Sequence, residues 1–327
     1  MNKNNVLQSI AFVMPVLNEA KHLESAVESI FKQENLNIEE IQVVLALGPS
    51  TDETNLVAKR LKARYSVQLI DNPTGKTAIG LNLAIAATDA DIVVRVDAHS
   101  KLSSNYTSLA RDILNQNKAA NVGGIMRAVG FNPFQQAVAY AYNSRLGLGG
   151  GSYHIGGQAG PSDSVYLGVF RRKTLVDLGG FDEKMDRGQD WELNLRIRES
   201  GQLVWFDPRL EVKYFPRTNL ASLSRQFYQT GKWRSWLSKM HLSKANLRYF
   251  APPALVIGTF LGLIMTFFGN SGLFGVLPLL AYTLLLAIAS ISASGLTIRA
   301  RLCILLALPV MHFSWGLGFI AGLFRKR

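Results

Sequence analysis

Short apolar runs alternate with amphipathic stretches in the first hundred residues of the chain. Four runs rich in Val, Ile and Leu have the length and composition of buried strands, and they cover residues 9–14, 41–47, 67–70 and 92–96. Helical stretches separate these runs and begin near residues 19, 52 and 76. Strands that alternate with helices predict parallel β-α-β units, and therefore an α/β fold with a doubly wound, mainly parallel sheet.

The alternation weakens after residue 99. Residues 121–168 are rich in glycine, which indicates mobile loops. Beyond them the pattern predicts a helix at 190–200 and strands at 165–170, 203–206 and 212–215. The stretch 220–240 is amphipathic and carries aromatic and basic side chains, a combination that favours the membrane interface.

Three long apolar runs lie at the end of the chain. Residues 250–269, 272–293 and 302–324 are nearly uncharged, and each run is about as long as a bilayer core is thick. Pro309 and several glycines interrupt the last run. We therefore expect a C-terminal α-helical membrane region, in which the last run either spans the membrane or is re-entrant.

Charge divides the chain at Glu211, its last acidic residue. The 327 residues carry a net charge of +12, yet the segment after Glu211 holds 13 Lys and Arg and no Asp or Glu. A basic excess suits nucleic acid or an anionic membrane, and the apolar runs favour the membrane and argue against nucleic acid. We predict a soluble domain at 1–211, a basic amphipathic segment at 212–249 and a membrane region at 250–327.

Charge and the N-terminus also predict the side of the membrane. Residues 1–8 are polar and lack the apolar core of a signal peptide. Arg299 and Arg301 lie between the second and third apolar runs, as expected for a cytoplasmic loop. We expect a multi-pass protein of the inner, cytoplasmic membrane, with its soluble domain in the cytoplasm.

A carboxylate and an imidazole follow the fourth predicted strand. Asp97 and His99 are two residues apart, so in extended chain their side chains point the same way. Ligands of open α/β sheets bind outside the carboxyl ends of the strands. The two side chains are therefore positioned to share one ion or one ligand, although a polar turn without chemistry would have the same pattern.

Five short motifs occur in a recognisable order, namely MPVLNE at 14–19, STDET at 50–54, DAH at 97–99, GGFD at 179–182 and QDWEL at 189–193. In this order and spacing they resemble family 2 glycosyltransferases with the GT-A fold, over residues 9–240. The VDAH variant and the GPSTD turn are similar to those of a membrane-attached branch that includes succinoglycan-type glucosyltransferases. The resemblance implies a hexosyltransferase that uses a nucleotide-sugar donor.

The resemblance implies a donor site. Pro15, Asn18 and Glu19 would line the nucleotide pocket, with Glu19 near the ribose. Asp97 matches the first carboxylate of the family's Asp-x-Asp motif and would hold the ribose or the metal shell. His99 stands where the second, metal-binding Asp usually stands. Because a histidine ligand shifts the metal preference away from Mg²⁺, we expect a divalent cofactor that is Mn²⁺ or Mg²⁺.

Other residues match the acceptor side of the family. Asp190 matches the catalytic base, although an Asp that opens a helix also suits an N-cap. Glu192 either contacts the acceptor or, as a first-turn acid, interacts with the helix dipole. Gln229, Lys232 and Trp233 nearly match a Gln-x-x-Arg-Trp motif of processive members, with Lys in place of Arg. These three would contact the acceptor, or the tryptophan anchors its helix at the membrane interface.

Two further donor-side residues keep alternative interpretations. Asp52 either lies near the nucleotide or only caps the second helix, and Lys76 either meets a phosphate or is a solvated lysine at a helix start. The chain also departs from the family pattern. Leu47 and Gly48 replace a pair of acids, which removes one usual contact to the base, and Gln189 replaces the Glu that precedes the catalytic Asp.

Together these features predict an inverting, metal-dependent glycosyltransferase. It would move a sugar, from a donor expected to be UDP-linked, to a lipid-linked or polysaccharide acceptor at the cytoplasmic membrane face. Its expected partners are the donor, the lipid-linked glycan, membrane lipids and other polysaccharide-assembly proteins. One alternative is a synthase that charges polyprenyl phosphate with a single sugar, whose anionic acceptor needs no base. Another is a non-catalytic membrane scaffold that binds nucleotide sugars.

Overall fold

The structure, a computed structural model, describes residues 8–36, 41–148, 151–240, 247–267 and 272–324. Its strands are β1 (Ile10–Val16), β2 (Ile41–Leu47), β3 (Val67–Asp71), β4 (Ile92–Arg95), β5 (Ser100–Leu102), β6 (Asn121–Ala128), β7 (Gly160–Pro161), β8 (Tyr166–Arg171) and β9 (Val204–Tyr214). Its helices are α1 (Leu23–Phe31), α2 (Thr54–Arg64), α3 (Thr77–Ala86), α4 (Tyr106–Gln116), α5 (Pro133–Tyr142), α6 (Arg145–Leu148), α7 (Ser152–Ile155), α8 (Arg172–Asp177), α9 (Gln189–Glu199), α10 (Leu220–Met240), α11 (Ala251–Met265), α12 (Gly272–Ser292) and α13 (Ile298–Leu323). A 3₁₀ turn, Leu247–Phe250, precedes α11.

The strands of the described residues form one sheet in the order β3-β2-β1-β4-β8-β6-β9-β5, with β7 paired to β9. The pairs β1–β2, β2–β3 and β1–β4 are parallel, as the alternation of strands and helices predicts. Beyond β4 the known pairings are antiparallel, which the alternation does not predict. The strand order reverses direction between β1 and β4, and such a switch point opens a crevice at the carboxyl ends of the strands.

The core of this sheet is built as the apolar pattern predicts. Every β1 residue except Pro15 is buried, which suits a strand covered on both faces. The apolar stripe of α1 is buried too, at Leu23, Ala26, Val27 and Ile30. The α1 side chains and alternate side chains of β1, β2 and β4 belong to one apolar cluster on one face of the sheet. Burial of this cluster fixes the positions of the strand ends that carry the site.

Two predicted element boundaries near the start of the chain were wrong. Strand β1 does not stop before Pro15 but runs on to Val16, with Pro15 opposite Ala46 of β2. Pro15 is tolerated because the neighbouring strand β4 ends opposite Val13. The N–H group that proline lacks would therefore have no partner in β4. Helix α1 begins at Leu23 rather than at residue 19, since Asn18 has a left-handed φ of 55° and bonds to another loop instead of capping the helix.

The glycine-rich region is more ordered than predicted. Within residues 121–168 the chain forms strands β6 and β7, the first half of β8, and helices α5, α6 and α7. Gly124 lies in β6, where a Cβ atom would overlap the carbonyl oxygen of Leu210 in β9. At Gly123 a Cβ atom would lie 2.7 Å from the carbonyl oxygen of Tyr166. These glycines permit close strand approach rather than loop mobility. The predicted strands at 203–206 and 212–215 are likewise one strand, β9.

The chain divides into two compact units. The first contains Met1–Arg127 and Ile155–Tyr214, and the second contains Ala128–His154 and Phe215–Arg327. The division after Tyr214 lies close to the predicted end of the soluble domain. The sequence gives no sign that residues 128–154 pack with the C-terminal region.

Among the described residues of the second unit, three helices are long and apolar enough to cross a membrane, at Leu247–Met265, Gly275–Ser292 and Ile298–Leu323. The last is one unbroken helix of 26 residues with Pro309 inside it, which favours spanning over the re-entrant alternative. Helix α13 also packs against α10 by direct backbone approach. A Cβ atom at Gly231, Gly318 or Gly322 would overlap a carbonyl oxygen of the opposite helix.

Candidate active site

Two loops meet at the carboxyl ends of β1 and β2. The side-chain oxygen of Asn18 accepts hydrogen bonds from the amide and hydroxyl of Thr51, at 2.8 and 3.3 Å. The Asn18 amide donates to the Ser50 hydroxyl at 3.0 Å, and the Glu19 amide donates to the Thr54 hydroxyl at 2.7 Å. The left-handed backbone at Asn18 turns the loop so that these bonds can form. Thus the polar motifs after β1 and β2 hold each other in place.

Asp52 serves as a structural link in this pair of loops. Its carboxylate accepts bonds from the Thr54 hydroxyl and amide and from the Ala20 amide. The hydrogen bond from the Thr54 hydroxyl lowers the pKa of Asp52 below its ordinary value. Asp52 thus holds the start of α2 through Thr54, although the N-cap residue itself is Glu53, and its nucleotide contact stays a prediction.

Glu19 and His99 meet across the switch point. The Nδ1 atom of His99 lies 2.9 Å from Oε1 of Glu19, and the two residues follow β1 and β4. The His99 ring also contacts Tyr214 edge-on, with ring centroids 5.8 Å apart. When neutral His99 donates its Nδ1 proton to Glu19, the lone pair is on Nε2. Glu19 therefore bonds to the imidazole through one carboxylate oxygen, and its position near the ribose stays a prediction.

A buried arginine connects the two carboxylates of the predicted site. Arg95 is the last residue of β4, and its side chain is only 5% exposed. Its Nη2 atom donates to Oδ1 of Asp97 at 3.0 Å, and its Nη1 atom forms an ion pair with Oδ1 of Asp190. The Asp97 side chain is 18% exposed and that of Asp190 is 34% exposed. The structure thus brings together a residue after β4 and a residue of α9.

Arg95 also determines the charge state of Asp97. Burial by itself would raise the pKa of this carboxyl. The charges of Arg95 and His99 and the hydrogen bond from Arg95 outweigh burial, so that the pKa lies below its ordinary value. Asp97 is therefore ionised at neutral pH and can attract a cation.

The loop that contains Phe181 packs against the Arg95 side chain. The guanidinium carbon of Arg95 lies 5.9 Å from the centre of the Phe181 ring. Asn82 of α3 holds Phe181 by two hydrogen bonds of 2.8 Å, one to its carbonyl oxygen and one from its amide. Gly180 precedes it with a φ of +71°, and a Cβ atom there would lie 2.5 Å from the Asn82 side-chain oxygen. The GGFD motif therefore positions Arg95 through Phe181.

Asp190 occupies the first turn of α9 but is not its N-cap. Gly188 is the N-cap, with a left-handed φ of 80°, and Asp190 lies two residues further on. Its carboxylate is paired with Arg95 rather than with the backbone of its own helix. The N-cap interpretation of Asp190 is therefore wrong, and its side chain is held by Arg95 instead.

The other predicted residues of the first unit lie in structural positions. The Glu192 carboxylate, 12% exposed, accepts two bonds from Arg196, at 2.5 and 2.7 Å. These bonds favour a structural role over an acceptor contact. Lys76 is the N-cap residue of α3, is 47% exposed and lies 3.6 Å from Asp186, which fits the solvated interpretation. Pro15 stays in β1 next to the loop that carries Asn18.

Gln229, Lys232 and Trp233 belong to α10 in the second unit. Trp233 is buried there and packs edge-on against Trp236, with ring centroids 5.4 Å apart. Trp233 is thus packed inside the second unit, and its acceptor contact and its anchoring at the membrane interface both stay predictions.

Sequence reasoning missed Arg95. The signal was present, since an arginine inside an otherwise apolar buried strand requires a counter-charge, and Asp97 follows two residues later. The second partner, Asp190, is far away in the chain and becomes visible only in the fold.

The residues at the switch point fit a divalent ion that is shared with a substrate. The described residues contain no group of three or more His, Cys, Asp or Glu side chains that could hold an ion by themselves. Asp97 and His99 offer one oxygen and one nitrogen, and Glu19 orients the imidazole as carboxylates commonly do behind metal-bound histidines. Ions of this kind often take their remaining ligands from substrate phosphates.

Comparison with known families agrees with this geometry. A sheet with a switch-point site and an adjacent helix that carries an acid is the arrangement of a sugar-transferring enzyme of the GT-A class. The model of the family described as "Glycosyl transferase family 2" matches residues 11–175, half of the chain. The chain belongs to this family, and it is a glycosyltransferase that uses a nucleotide-sugar donor.

Two curated relatives match nearly the whole chain. The "Succinoglycan biosynthesis protein ExoA" of Rhizobium meliloti is 30% identical, and the match covers 98% of this chain and 97% of the relative. A Methanococcus voltae protein is 24% identical, with 97% of both chains covered. It is named "Dolichyl N-acetyl-alpha-D-glucosaminyl phosphate 3-beta-D-2,3-diacetamido-2,3-dideoxy-beta-D-glucuronosyltransferase". The expected likeness to succinoglycan-type enzymes is thereby confirmed.

Solved structures show the same fold. The mannosyltransferase PcManGT from Pyrobaculum calidifontis, in complex with GDP-Man and Mn²⁺, has a TM-score of 0.60 at 20% identity, covering 98% of this chain and 88% of that one. Residues 1–349 of S. aureus TarS with UDP-GlcNAc give a TM-score of 0.53 at 14% identity, covering 96% and 91%. The predicted GT-A fold class is confirmed. The membrane helices and the family together indicate membrane association.

Proposed function

We propose that the chain is an inverting, metal-dependent glycosyltransferase that moves a sugar from a UDP-sugar to a lipid-linked acceptor at the cytoplasmic membrane face. The observation that carries the proposal is the pairing of one buried guanidinium, Arg95, with both Asp97 and Asp190. A donor-side carboxylate and the candidate base are thereby held at a set separation. Such prior positioning of groups is a large part of what an active site contributes to rate.

Asp190 suits the role of general base. An inverting displacement needs one group to take the proton of the acceptor hydroxyl, because the nucleotide leaves as an anion and needs no acid. The Asp190 carboxylate is one-third exposed and is held in place by Arg95, so that an acceptor hydroxyl can approach it.

Asp97 and His99 suit the donor diphosphate. A divalent ion bound by them would neutralise the charge that develops on the departing nucleotide. Glu19 holds the imidazole of His99, and the bonded loops of Asn18 and Ser50 form the adjoining wall of the nucleotide site. The Mn²⁺ in PcManGT and the UDP-GlcNAc in TarS support this assignment.

The names of the relatives support the acceptor class. The Methanococcus relative is named for an acceptor sugar linked to dolichyl phosphate, and the Rhizobium relative is named for polysaccharide biosynthesis. A lipid-linked acceptor places the reaction at a membrane, which agrees with the three apolar helices. We further propose a multi-pass protein of the inner membrane whose catalytic unit lies in the cytoplasm.

The test uses the full chain in detergent with a panel of UDP-sugars and GDP-mannose, lipid-linked acceptors, and Mn²⁺ or Mg²⁺. We expect transfer that depends on the metal and gives a product of inverted anomeric configuration. The Asp190→Asn variant should bind donor normally and lose about 10²- to 10⁴-fold in rate. Asp177→Asn, an exposed carboxylate paired with Lys173, is the matched control.

Two results would contradict the proposed function. An Asp190→Asn variant as active as the wild type on a sugar acceptor would overturn the role of the base, and retention of configuration would overturn the inverting mechanism. If the variant keeps its activity only on polyprenyl phosphate, the chain is a polyprenyl-phosphate sugar synthase, because an acceptor that is already an anion needs no base.

A further inference from the structure

A strained stretch of backbone lies in β8, the strand next to β4. Leu167 has a left-handed φ of 43°, which is uncommon for a residue that carries a side chain. Between Tyr166 and Val169, β8 contains one residue more than the stretch of β6 opposite it, Val122–Gly124, so the two strands form a β-bulge. Bulges and strained backbone are concentrated next to active sites, where a bulge commonly redirects a side chain.

The bulge turns Tyr166 toward the same face of the sheet as its neighbour. In a regular strand, adjacent side chains point to opposite faces. Here the Leu167 and Val169 side chains are buried in one apolar cluster, and the ring of Tyr166 packs against that same cluster. The apolar contacts thus fix the ring of Tyr166, and its hydroxyl group is left to make a polar contact.

A second tyrosine holds the bulge in place. Tyr106 of α4 is fully buried, and its hydroxyl donates a hydrogen bond of 2.9 Å to the carbonyl oxygen of Leu167. Burial raises the pKa of Tyr106, so its phenol stays protonated and remains a donor at physiological pH. Because a buried carbonyl group without a partner is costly, this bond stabilises the left-handed backbone at Leu167.

The Tyr166 hydroxyl contacts the loop that carries the candidate metal ligands. It lies 3.3 Å from the hydroxyl of Ser100, which is a fully buried residue. The Ser100 amide donates to the Asp97 carbonyl oxygen at 2.9 Å and closes residues 97–100 into a tight turn, which we name the DAHS turn. Hydrogen bonds in active sites are often long until substrate binds. Tyr166 therefore contacts the last residue of the turn that begins with Asp97 and contains His99.

Two strands flank the DAHS turn. On one side, Ser100 pairs with Tyr214 of β9. On the other side, the described pairing of β4 with β8 ends at Val94, three residues before Asp97. The contact between Tyr166 and Ser100 therefore links the turn to β8 at a point that the backbone pairing does not reach.

The Tyr166 hydroxyl also lies within electrostatic reach of the candidate site. Burial raises the pKa of Tyr166 well above its ordinary value, the charge of Asp97 raises it further, and the charge of Arg95 opposes the rise. The phenol therefore stays neutral at physiological pH and keeps its proton for a hydrogen bond to the turn.

We propose that Tyr166 is a positioning residue of the donor site, and that it holds the DAHS turn so that Asp97 and His99 can bind a metal-bound nucleotide diphosphate. The inference rests on the proposed function for the roles of Asp97 and His99. The bulge at Leu167 aims the ring, Tyr106 fixes the bulge, and the Tyr166 hydroxyl fixes the turn. Removal of that hydroxyl loosens the site without unfolding the sheet, because the ring keeps its apolar contacts.

The test measures nucleotide binding rather than sugar transfer. The full chain in a non-ionic detergent is titrated calorimetrically with UDP and with GDP, each with Mn²⁺ and again with EDTA. We expect Tyr166→Phe and Ser100→Ala each to weaken Mn²⁺-dependent binding about 3- to 10-fold, the effect of one lost hydrogen bond. The double variant should bind no more weakly than either single variant, because both changes remove the same contact. Binding with EDTA should be unchanged.

Tyr65→Phe is the matched control, because Tyr65 is a partly exposed tyrosine that stacks on Phe31 and precedes the amino-terminal end of β3. It should bind nucleotide as the wild type does. Tyr166→Phe should keep the wild-type melting temperature. Tyr106→Phe should lower both the melting temperature and the Mn²⁺-dependent affinity, because release of the bulge moves Tyr166.

Three results would overturn the positioning role. The first is wild-type affinity in Tyr166→Phe. The second is a loss of affinity that is equal with Mn²⁺ and with EDTA, or that accompanies a fall in melting temperature, since the tyrosine would then support the fold alone. The third is a double variant whose losses add, because Tyr166 and Ser100 would then act independently.

These results are separable from the proposed function. Nucleotide binding is measured without an acceptor and should not depend on Asp190. Transfer that fails while binding still depends on Tyr166 would contradict the enzyme mechanism alone. Transfer and binding that are both unchanged in Tyr166→Phe would contradict the positioning role alone. A wild-type chain that binds neither nucleotide with Mn²⁺ would contradict the donor site and the positioning role together.

Discussion

The guanidinium of Arg95 pairs with two carboxylates, those of Asp97 and Asp190. In the described structure, no other arginine or lysine pairs with either carboxylate. A buried arginine is favourable only when its charge is paired and hydrogen-bonded. The two carboxylates depend on Arg95 in turn, since Asp97 and Asp190 are both partly buried. Loss of the guanidinium would leave two negative charges close together.

We predict that Arg95→Gln lowers kcat by about 10²-fold or more, because both carboxylates lose their position. Arg95→Lys should recover only a small part, since an ammonium group cannot form the planar, two-sided contact of a guanidinium. The measurement is single-turnover transfer at saturating donor, with melting temperature recorded in parallel. Arg64→Gln, an exposed arginine paired with Glu24 and Glu28, serves as the control. A fully active Arg95→Gln variant would refute the shared-cation role.

We also predict that Glu19→Gln weakens the response to metal. Loss of a carboxylate behind a metal-bound histidine typically costs 10- to 100-fold in metal affinity. The midpoint of a Mn²⁺ titration, followed by donor binding rather than turnover, should therefore rise by about 10-fold or more. Glu24→Gln, in the first turn of α1, is the control. An unchanged midpoint would mean that Glu19 does not orient His99 for a metal.

At the residue scale, the sequence located polar side chains that follow strand ends, while their roles in donor and metal binding stay predictions. Asp97, His99, Asn18 and Glu19 follow apolar strands, and parallel strands bring their carboxyl ends to one edge. Arg95 was missed because its second partner, Asp190, is distant in sequence. The contact between Glu19 and His99 was not predicted, because the fold brings β1 and β4 side by side and no local pattern records that pairing.

At the scale of elements, the glycines of β6 mark close packing of strands, whereas glycines in a loop indicate flexibility. The sequence of 121–128 has two adjacent glycines, which locally indicate flexibility. In the fold they lie where neighbouring backbone approaches too closely for any side chain. Local composition cannot distinguish the two cases, since the approaching residue, Leu210, is more than eighty positions away.

We predict that Gly124→Ala destabilises the protein by about 1–3 kcal/mol or prevents folding, because its methyl group would overlap the Leu210 carbonyl. Gly160→Ala is the control, since a Cβ atom at Gly160 meets nothing within 4 Å and its φ is not positive. Melting temperature of the purified chain, and the detergent-soluble yield, provide the measurement. Equal stability of the two variants would show that β6 and β9 are not closely packed.

Element boundaries were predictable where apolar period and length agree. The sequence located β2 and α10 at their observed bounds, and it located β3, β4, α3 and α9 within one residue at each end. It failed at α1, where Asn18 bonds to the neighbouring loop, and at β9, where a polar stretch in the middle concealed one long strand. In each case a tertiary hydrogen bond or strand pairing outweighs the local signal.

At the scale of the whole molecule, acid should weaken the second unit. The pKa of His154 is lowered to about 3 from an ordinary 6.5. The unfolded chain therefore binds a proton before the folded chain does, so this stability is complete above pH 6.5 and decreases as the pH falls toward 3. The melting temperature should fall between pH 7.5 and pH 5, and His154→Gln should make the fall shallower. Identical slopes would show that His154 is solvated.

Membrane attachment should be integral rather than electrostatic. We predict that 1 M salt and alkaline carbonate leave the full chain in the membrane pellet, and that only detergent releases it, because the three apolar helices contribute far more than the surface charges. Release by salt alone would contradict spanning. With three spans and a cytoplasmic first unit, a C-terminal tag should be accessible only from the outer side of the membrane, whereas cytoplasmic accessibility would indicate two spans.

The glycine contact between α10 and α13 links the enzyme to the thickness of its bilayer. Helix α13 spans about 39 Å at 1.5 Å per residue, more than a typical hydrocarbon core of about 30 Å, so it tilts or moves along the membrane normal when the lipid chains change length. Because the backbones of α10 and α13 are in direct contact, we expect α10 to move together with α13. We therefore expect the depth of α10 in the membrane to change with the length of the lipid chains.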